Sequence, residues 1–113
     1  MAAAPRARRA SRPAETVAQV VYSPNALANL ERALAFVAES APESALGAAD
    51  AIQTAVEMLE RHPFIGRLVR GNLRELVISF GRTGYVALYR FVPSRDEVRI
   101  LAIRHQRELD YPT

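Results

Sequence analysis

A first stretch of the chain carries apolar residues at the spacing of an amphipathic helix. They recur three or four positions apart, which places them on one face; they are Leu27, Leu30, Leu34 and Val37. Ser23 followed by Pro24 predicts the start, because serine caps helix N termini and proline suits the first helical position. The stretch "SAPES" (40–44) interrupts the pattern. The first helix is therefore expected between residues 24 and 40.

A second helical pattern begins near Pro42 or Ser44. Its apolar stripe is Leu46, Ala49, Ile52, Val56 and Leu59. The pair His62-Pro63 predicts its end, because a residue before proline is pushed out of the helical region. Two amphipathic helices joined by so short a link predict an antiparallel helix hairpin.

The remaining apolar segments alternate with period two or are short and β-branched, which predicts strands. They are "TVAQVVY" (16–22), "RLVRGN" (67–72), "LRELVISF" (73–80), "YVALYRFV" (85–92) and "EVRILAIR" (97–104). Short turns separate the last strands, as in an antiparallel meander. The predicted fold is α+β, in the order β-α-α-β-β-β(β), with the helix hairpin packed on a small, curved antiparallel sheet.

Charge is divided unevenly along this pattern. Residues 14–63 carry seven acids against two arginines, whereas residues 64–113 carry nine arginines against five acids. The basic half favours an anionic partner, either nucleic acid or an acidic protein surface. All fifteen basic residues are arginine, which excludes Schiff-base and phosphate-loop lysine chemistry. The chain has no cysteine, which excludes disulfides, thiolate nucleophiles and cysteine metal sites and fits the cytoplasm.

The first fifteen residues, "MAAAPRARRASRPAE", have no apolar pattern and four arginines. Such a composition cannot bury a core, so residues 1–15 are expected to form a disordered basic tail. Residues 16–113 are expected to form a single domain. No stretch is apolar and long enough to span a membrane.

A cluster of charge follows directly on the last strand. Arg104, His105 and Arg107 lie within "RHQRE" (104–108). Imidazole titrates near neutral pH, so the histidine is a candidate general acid or base, and the arginines could bind phosphate. The simpler interpretation is a solvated strand end whose arginines pair with Glu108 or Asp110. The two histidines have no ligand spacing to each other or to acids, so no metal site is predicted.

The order of elements, with "GRLVRGNLRELVISF", "GYVALYRF" and "ILAIRHQRELDY", resembles the RelE/ParE superfamily of type II toxin–antitoxin toxins over residues 16–111. "GYVALYR" and "LAIRHQRE" look most like the ParE-like, plasmid-stabilisation branch. That resemblance implies a toxin that inhibits DNA gyrase, needs no cofactor and forms a hetero-oligomer with a ParD-like antitoxin. The alternative that it implies is a RelE-like, ribosome-dependent mRNA endoribonuclease.

If the chain were a ribonuclease, the resemblance would place catalysis on Arg82, Arg90, Arg104, His105 and Tyr111. RelE-like enzymes resemble one another in having an arginine directly after the tyrosine that opens the third meander strand. Here the residue after Tyr85 is Val86, and the nearest arginine on that strand is Arg90. A shift of four residues along a strand is about 13 Å, so this departure favours a protein that is not an enzyme.

The preferred prediction is therefore a binding surface for the target or the antitoxin. Its expected residues are Arg67, Arg70, Arg82, Arg90, Arg104, His105 and Arg107. For Arg90, the predicted counter-charge is Glu75 or an antitoxin carboxylate, because a cation in an apolar strand needs a partner. The head of Arg74 is likewise expected to pair with an acid, and Tyr85 and Tyr89 are expected to be core or interface aromatics.

Overall fold

The computed structural model describes residues 17–81, 83–108 and 110–111. Two helices and five strands make up the fold. They are β1 (Gln19–Tyr22), α1 (Pro24–Ser40), α2 (Ala45–Arg61), β2 (Arg67–Arg70), β3 (Leu73–Phe80), β4 (Thr83–Val92) and β5 (Glu97–His105). Short 3-10 turns at Pro42–Ser44 and Pro93–Arg95 join α1 to α2 and β4 to β5. The basic tail predicted at residues 1–15 lies outside the described residues.

The strands form one sheet in the order β1-β5-β4-β3-β2. The meander from β2 to β5 is antiparallel, as predicted, and β4 lies at the centre of the five-stranded sheet. The sheet as a whole is mixed, because β1 runs parallel to β5, with Tyr22 opposite Ile100. Parallel neighbours need a long connection, and here the helix hairpin and three strands supply it. The predicted α+β class and the packing of two helices on one sheet face are confirmed.

The core lies between the helices and one face of the sheet. On β4 this face carries Tyr85, Ala87, Tyr89 and Phe91, each buried and two residues apart. Large side chains from the strands fill most of the space between the layers, so the beginnings of both helices present alanine to them, whereas Ile52, Val56 and Leu59 of α2 are buried in the same core.

The buried face at the beginning of each helix differs from the predicted apolar stripe for that reason. Ala26 and Ala48 are fully buried, whereas Leu27 is 46% exposed and Leu46 is 81% exposed. The prediction that Leu27 and Leu46 face the core is wrong. Alanine lets a helix approach a sheet rich in tyrosine and isoleucine, and close packing then leaves no room for leucine at those positions.

The beginning of α1 covers the edge of β5 that β1 leaves open. Ser23 caps the helix by accepting a hydrogen bond from the Ala26 nitrogen, and its hydroxyl also donates to the Leu101 carbonyl. Asn25 donates to the same carbonyl. Asn29, which is 3% exposed, accepts from the Ile103 nitrogen at 2.9 Å. Polar side chains of the helix thus satisfy backbone groups that a longer β1 would otherwise have paired.

Neither helix in the described part of the chain combines the length and hydropathy of a membrane-spanning segment.

Candidate functional site

The sheet face turned away from the helices carries most of the predicted basic residues. Side chains alternate along a strand, so the residues opposite to the core positions of β4 and β5 point to this side. Arg90 of β4 and Arg104 of β5 lie there, together with Glu75 of β3 and Arg67 of β2, as the strand pairings require. We call this side the open face, defined by Arg67, Glu75, Arg90 and Arg104.

Arg104 holds the segment after β5 in place. Its Nη1 donates to the carbonyl oxygen of Glu108 at 2.7 Å and lies 3.4 and 3.3 Å from those of His105 and Gln106. Its guanidinium also lies over the ring of Tyr111, 5.1 Å from the centroid. Arg104 is thus committed to the chain's own backbone and to an aromatic ring, in a cation–π contact.

Tyr111 closes this network on the open face. Its hydroxyl donates to Glu75 Oε2 at 2.7 Å, and Glu75 Oε1 accepts from Arg67 at 2.7 Å. Burial raises the pKa of the Tyr111 phenol, the Glu75 carboxylate raises that pKa further, and Arg104 opposes the rise. The phenol therefore stays neutral at physiological pH. Glu75 connects β3 to β2 and to the C-terminal segment.

His105 points to the opposite, helix-covered side of the sheet, since it follows Arg104 on the same strand. Its Nδ1 accepts from the Arg107 nitrogen at 3.1 Å, so the neutral ring carries its proton on Nε2. Nε2 lies 2.6 Å from Thr83 Oγ1 and donates to it in this tautomer. The ring also packs edge-on against Tyr85, with 5.7 Å between centroids. The histidine is positioned by three neighbours and does not face Arg104.

A cleft of about 510 Å³ opens beside this histidine, between α1 and the adjoining ends of β4 and β5. Its lining includes Arg32, Phe36, Ile103, His105, Arg107 and Glu108. Phe36 is 67% exposed, and Arg32 and Arg107 are exposed cations at its rim. The cleft therefore combines an apolar wall with positive charge.

The remaining predicted residues are distributed between the two faces. Arg67 and Arg70 lie on the exposed strand β2, and Arg90 stands in β4 with a buried Nε that has no hydrogen-bond partner. Of the two predicted partners of Arg90, Glu75 is wrong, since it bonds instead to Arg67 and Tyr111, and an antitoxin carboxylate stays a prediction. Arg82 lies outside the described residues.

Arg74 also differs from its prediction. Its Nη1 donates to the carbonyl oxygens of Gly66 at 2.8 Å and Phe64 at 3.1 Å, and its guanidinium lies 5.2 Å from the centroid of the Phe64 ring. Backbone carbonyls therefore take the place of the expected acid. Tyr85 and Tyr89 are core residues, as predicted.

The structure thus joins Arg104 and Tyr111 and separates both from His105. The role of Glu75, which links β3 to β2 and to the C-terminal segment, was not predicted from the sequence. A signal was available, because a lone acid stands between Arg74 and a run of apolar residues in a basic half of the chain. Among the residues that the structure describes, no group of three His, Asp or Glu side chains is arranged to hold a metal ion.

Comparison with known sequences identifies relatives over most of the chain. "Toxin RelE3" of Caulobacter vibrioides is 39% identical over 89 residues, covering 79% of this chain and 95% of the relative. "Toxin RelE2" of the same organism is 34% identical over 93 residues, covering 82% of this chain and all of the relative.

Two solved structures share the fold. The chromosomal ParDE toxin–antitoxin system from P. aeruginosa matches with a TM-score of 0.63 at 22% identity, covering 80% of this chain and 98% of that one. The toxin–antitoxin complex RelBE2 from Mycobacterium tuberculosis matches with a TM-score of 0.56 at 20% identity, covering 83% and 97%.

The family model described as "ParE toxin of type II toxin-antitoxin system, parDE" matches residues 20–110, from the second residue of β1 to beyond the end of β5. The chain belongs to this ParE toxin family and is a type II toxin of the RelE/ParE superfamily.

Proposed function

We propose that this toxin acts by binding DNA gyrase rather than by cleaving RNA, and that a ParD-like antitoxin neutralises it. The observation that carries the proposal is the separation of the basic and titratable side chains. Arg104 and Tyr111 lie on the open face, whereas His105 lies on the helix-covered side and is held by Thr83 and Tyr85. General acid–base catalysis requires such groups within hydrogen-bond reach of one substrate.

The chemistry of the open face supports the same conclusion. A phenol whose pKa is raised, as that of Tyr111 is, moves away from the range in which proton transfer at neutral pH is efficient. Val86, at the position where RelE-like enzymes have an arginine, is paired directly with Arg104 and is buried. The arginine of the open face that lies next to Val86 is Arg104, and its guanidinium already contacts three carbonyl oxygens instead of being free to stabilise a developing phosphate charge.

The names of the two curated relatives favour a second candidate function. Both are called RelE, which corresponds to the ribosome-dependent mRNA endoribonuclease alternative. In that case Arg104 and Tyr111 on the open face would meet the RNA, and Arg90 lies on the same face. Binding of RNA would have to open the contacts that now occupy both Arg104 and Tyr111.

The gyrase proposal is tested with the purified toxin, gyrase and plasmid DNA. We expect inhibited supercoiling and a trapped cleavage complex in the presence of ATP. The same reaction with toxin that has been mixed first with its antitoxin is the control and should show normal supercoiling. Unchanged supercoiling and the absence of a cleavage complex would remove the proposal.

Toeprinting on translating ribosomes tests the alternative. The wild type is compared with Arg104→Ala, Tyr111→Phe and His105→Ala, and Arg32→Ala serves as a control on the other side of the sheet. Cleavage of mRNA that disappears in the Arg104 and Tyr111 variants and persists in the control would make the toxin a ribonuclease. Intact mRNA with the wild type would leave gyrase as the preferred target.

For the antitoxin, we propose that part of its binding surface lies on the helix hairpin. The fold is shared with two toxin–antitoxin systems, and the hairpin exposes Leu27, Phe36 and Leu46. Exposed apolar side chains of this size mark surfaces that a partner covers. Co-expression with the neighbouring antitoxin gene should yield a complex, and Phe36→Asp should weaken it more than Gln53→Asp on the exposed side of α2. Equal effects would place the antitoxin elsewhere.

A further inference from the structure

One end of the open face carries a row of arginines that the network around Tyr111 does not use. Arg90 is paired directly with Arg99 on β5 and with Leu73 on β3, and Leu73 is paired with Arg70 on β2. Residues opposite each other in a sheet point to the same side. Arg70, Arg90 and Arg99 therefore form a line across four strands, which we call the arginine row.

The arginine row is poorly compensated within the protein. Arg99 shares Glu97 with Arg95, at 2.9 and 3.7 Å. Among the described residues, neither Arg70 nor Arg90 makes an ion pair or a hydrogen bond through its side chain. Glu75, on the neighbouring row, is already bonded to Arg67 and Tyr111.

Such an arrangement works against folding. Like charges directly opposite in adjacent strands destabilise a sheet, and a buried donor without an acceptor carries a desolvation penalty. The Arg90 Nε is such a donor. Natural sequences retain a local conflict of this kind mainly where it serves binding or catalysis.

We infer that the arginine row binds an acidic peptide segment of a partner protein. Guanidinium groups form paired hydrogen bonds with carboxylates, and neighbouring strands are about 4.8 Å apart, so one carboxylate can meet both Arg90 and Arg99. Arg70 lies two strands from Arg90, about 10 Å, which a peptide in the polyproline II conformation covers in one turn of three residues, so that side chains three positions apart face the same side. The segment would carry acids three positions apart.

The surroundings of the row favour a peptide over nucleic acid. Leu73 stands between the guanidiniums, and Leu88 and Val92 flank Arg90 on the same side of β4, all three partly exposed. Apolar groups suit the side chains between the acids of a peptide.

This inference rests on the proposed function only in requiring a macromolecular partner, and its test needs neither gyrase nor ribosome. The probe is a fluorescein-labelled peptide of about ten residues with glutamates at every third position and leucine or valine between them. Its binding to the full-length toxin is followed by fluorescence anisotropy. A peptide with glutamine for every glutamate and a single-stranded oligonucleotide of equal charge are run in parallel.

We expect Arg90→Gln to weaken peptide binding at least about tenfold, as the loss of a charge-assisted hydrogen bond predicts. Arg32→Gln, on the other side of the molecule, should keep affinity within about twofold in physiological salt. The glutamine peptide should bind no better to the wild type than to Arg90→Gln. No binding of the acidic peptide, or equal losses in both variants, would overturn the inference. Oligonucleotide binding that depends on Arg90, without peptide binding, would overturn it in favour of nucleic acid.

Thermal unfolding of the free protein gives a readout that is independent of the probe. Arg90→Met keeps the apolar stem of the side chain and removes the charge opposite Arg99. We expect its melting temperature to rise by about 2 to 5 °C. A fall would mean that the Arg90 guanidinium serves the fold, and the arginine row would lose its functional interpretation.

Discussion

The hydroxyl of Tyr89 joins the connection between α2 and β2 to the central strand of the sheet by hydrogen bonds. The residue has no solvent exposure. Its hydroxyl donates to the Pro63 carbonyl and accepts from the Gly66 nitrogen, each at 2.8 Å. The substitution Tyr89→Phe removes this oxygen and changes nothing else in the side chain.

The size of the effect follows from the two backbone groups left behind. Each unpaired, buried backbone group costs about 1 to 3 kcal/mol. Two of them lead us to expect that Tyr89→Phe lowers the free energy of unfolding by about 2 to 6 kcal/mol. For a domain with a stability of about 5 to 15 kcal/mol this is a large share.

Tyr85→Phe is the matched control. Tyr85 lies on the same face of β4 and is 3% exposed, but its hydroxyl has no hydrogen bond among the described residues. The same chemical change there should alter stability by no more than about 0.5 kcal/mol. Any difference between the two variants therefore reports the hydrogen bonds and not the loss of a phenol.

Urea unfolding followed by far-ultraviolet circular dichroism at pH 7 measures both variants. The dependence of the unfolding free energy on urea should be the same in all three proteins, so that midpoints can be compared. Equal losses for the two substitutions, or a loss under about 1 kcal/mol for Tyr89→Phe, would refute the assignment of this hydroxyl as a structural bridge.

Three further predictions concern backbone pairing, packing and pH. Asn29→Ala should lower the free energy of unfolding in urea by about 1 to 2 kcal/mol, because it leaves the buried Ile103 nitrogen without an acceptor. Asn25→Ala should have a smaller effect, because Ser23 still donates to the Leu101 carbonyl. Gly84→Ala should lower the free energy of unfolding by about 1 to 3 kcal/mol in the same assay, since the new Cβ would overlap the Ile78 carbonyl oxygen. Gly47→Ala should leave stability unchanged or raise it, because the new Cβ would meet only the Phe80 ring, which can move. Burial raises the pKa of all four tyrosines, so their contribution to stability is complete below about pH 10 and is lost as the pH rises towards the folded-state values. Melting temperatures between pH 7 and 11 should therefore fall at the alkaline end, and less steeply in Tyr111→Phe than in the wild type.

The period of the apolar pattern was sufficient to predict the elements and the α+β class. The segment "YVALYRFV" is apolar on both faces, which is typical of a strand buried on both sides, and β4 is the central strand of the sheet. The rotation of the helices was predicted less well, as Leu27 and Leu46 show. Periodicity marks an apolar face, but the volume of the opposing strand residues decides whether alanine or leucine is buried, and that volume depends on tertiary pairing.

The candidate site shows a similar division. Adjacent letters in "RHQRE" suggested one cluster, but alternation in β5 sends Arg104 and His105 to opposite sides of the sheet. The sequence could not predict that Glu75 bonds to Arg67 and Tyr111 and not to Arg90, because all three side chains were possible partners of that carboxylate. Which of these bonds forms depends on the register between strands and on the path of the C-terminal segment.

The parallel pairing of β1 with β5 has a consequence for how the protein is made. During translation β1 leaves the ribosome first and β5 last, so β1 can form its pairing, in which Gln19 lies opposite Glu97, only after β5 has been synthesised. Until then α1 cannot pack against β5, and the polar side chains at the beginning of α1 lack the β5 backbone groups to which they bond. The toxin can mature only once translation has delivered nearly the whole polypeptide, so a prematurely terminated product would lack the organised surfaces on which toxicity depends.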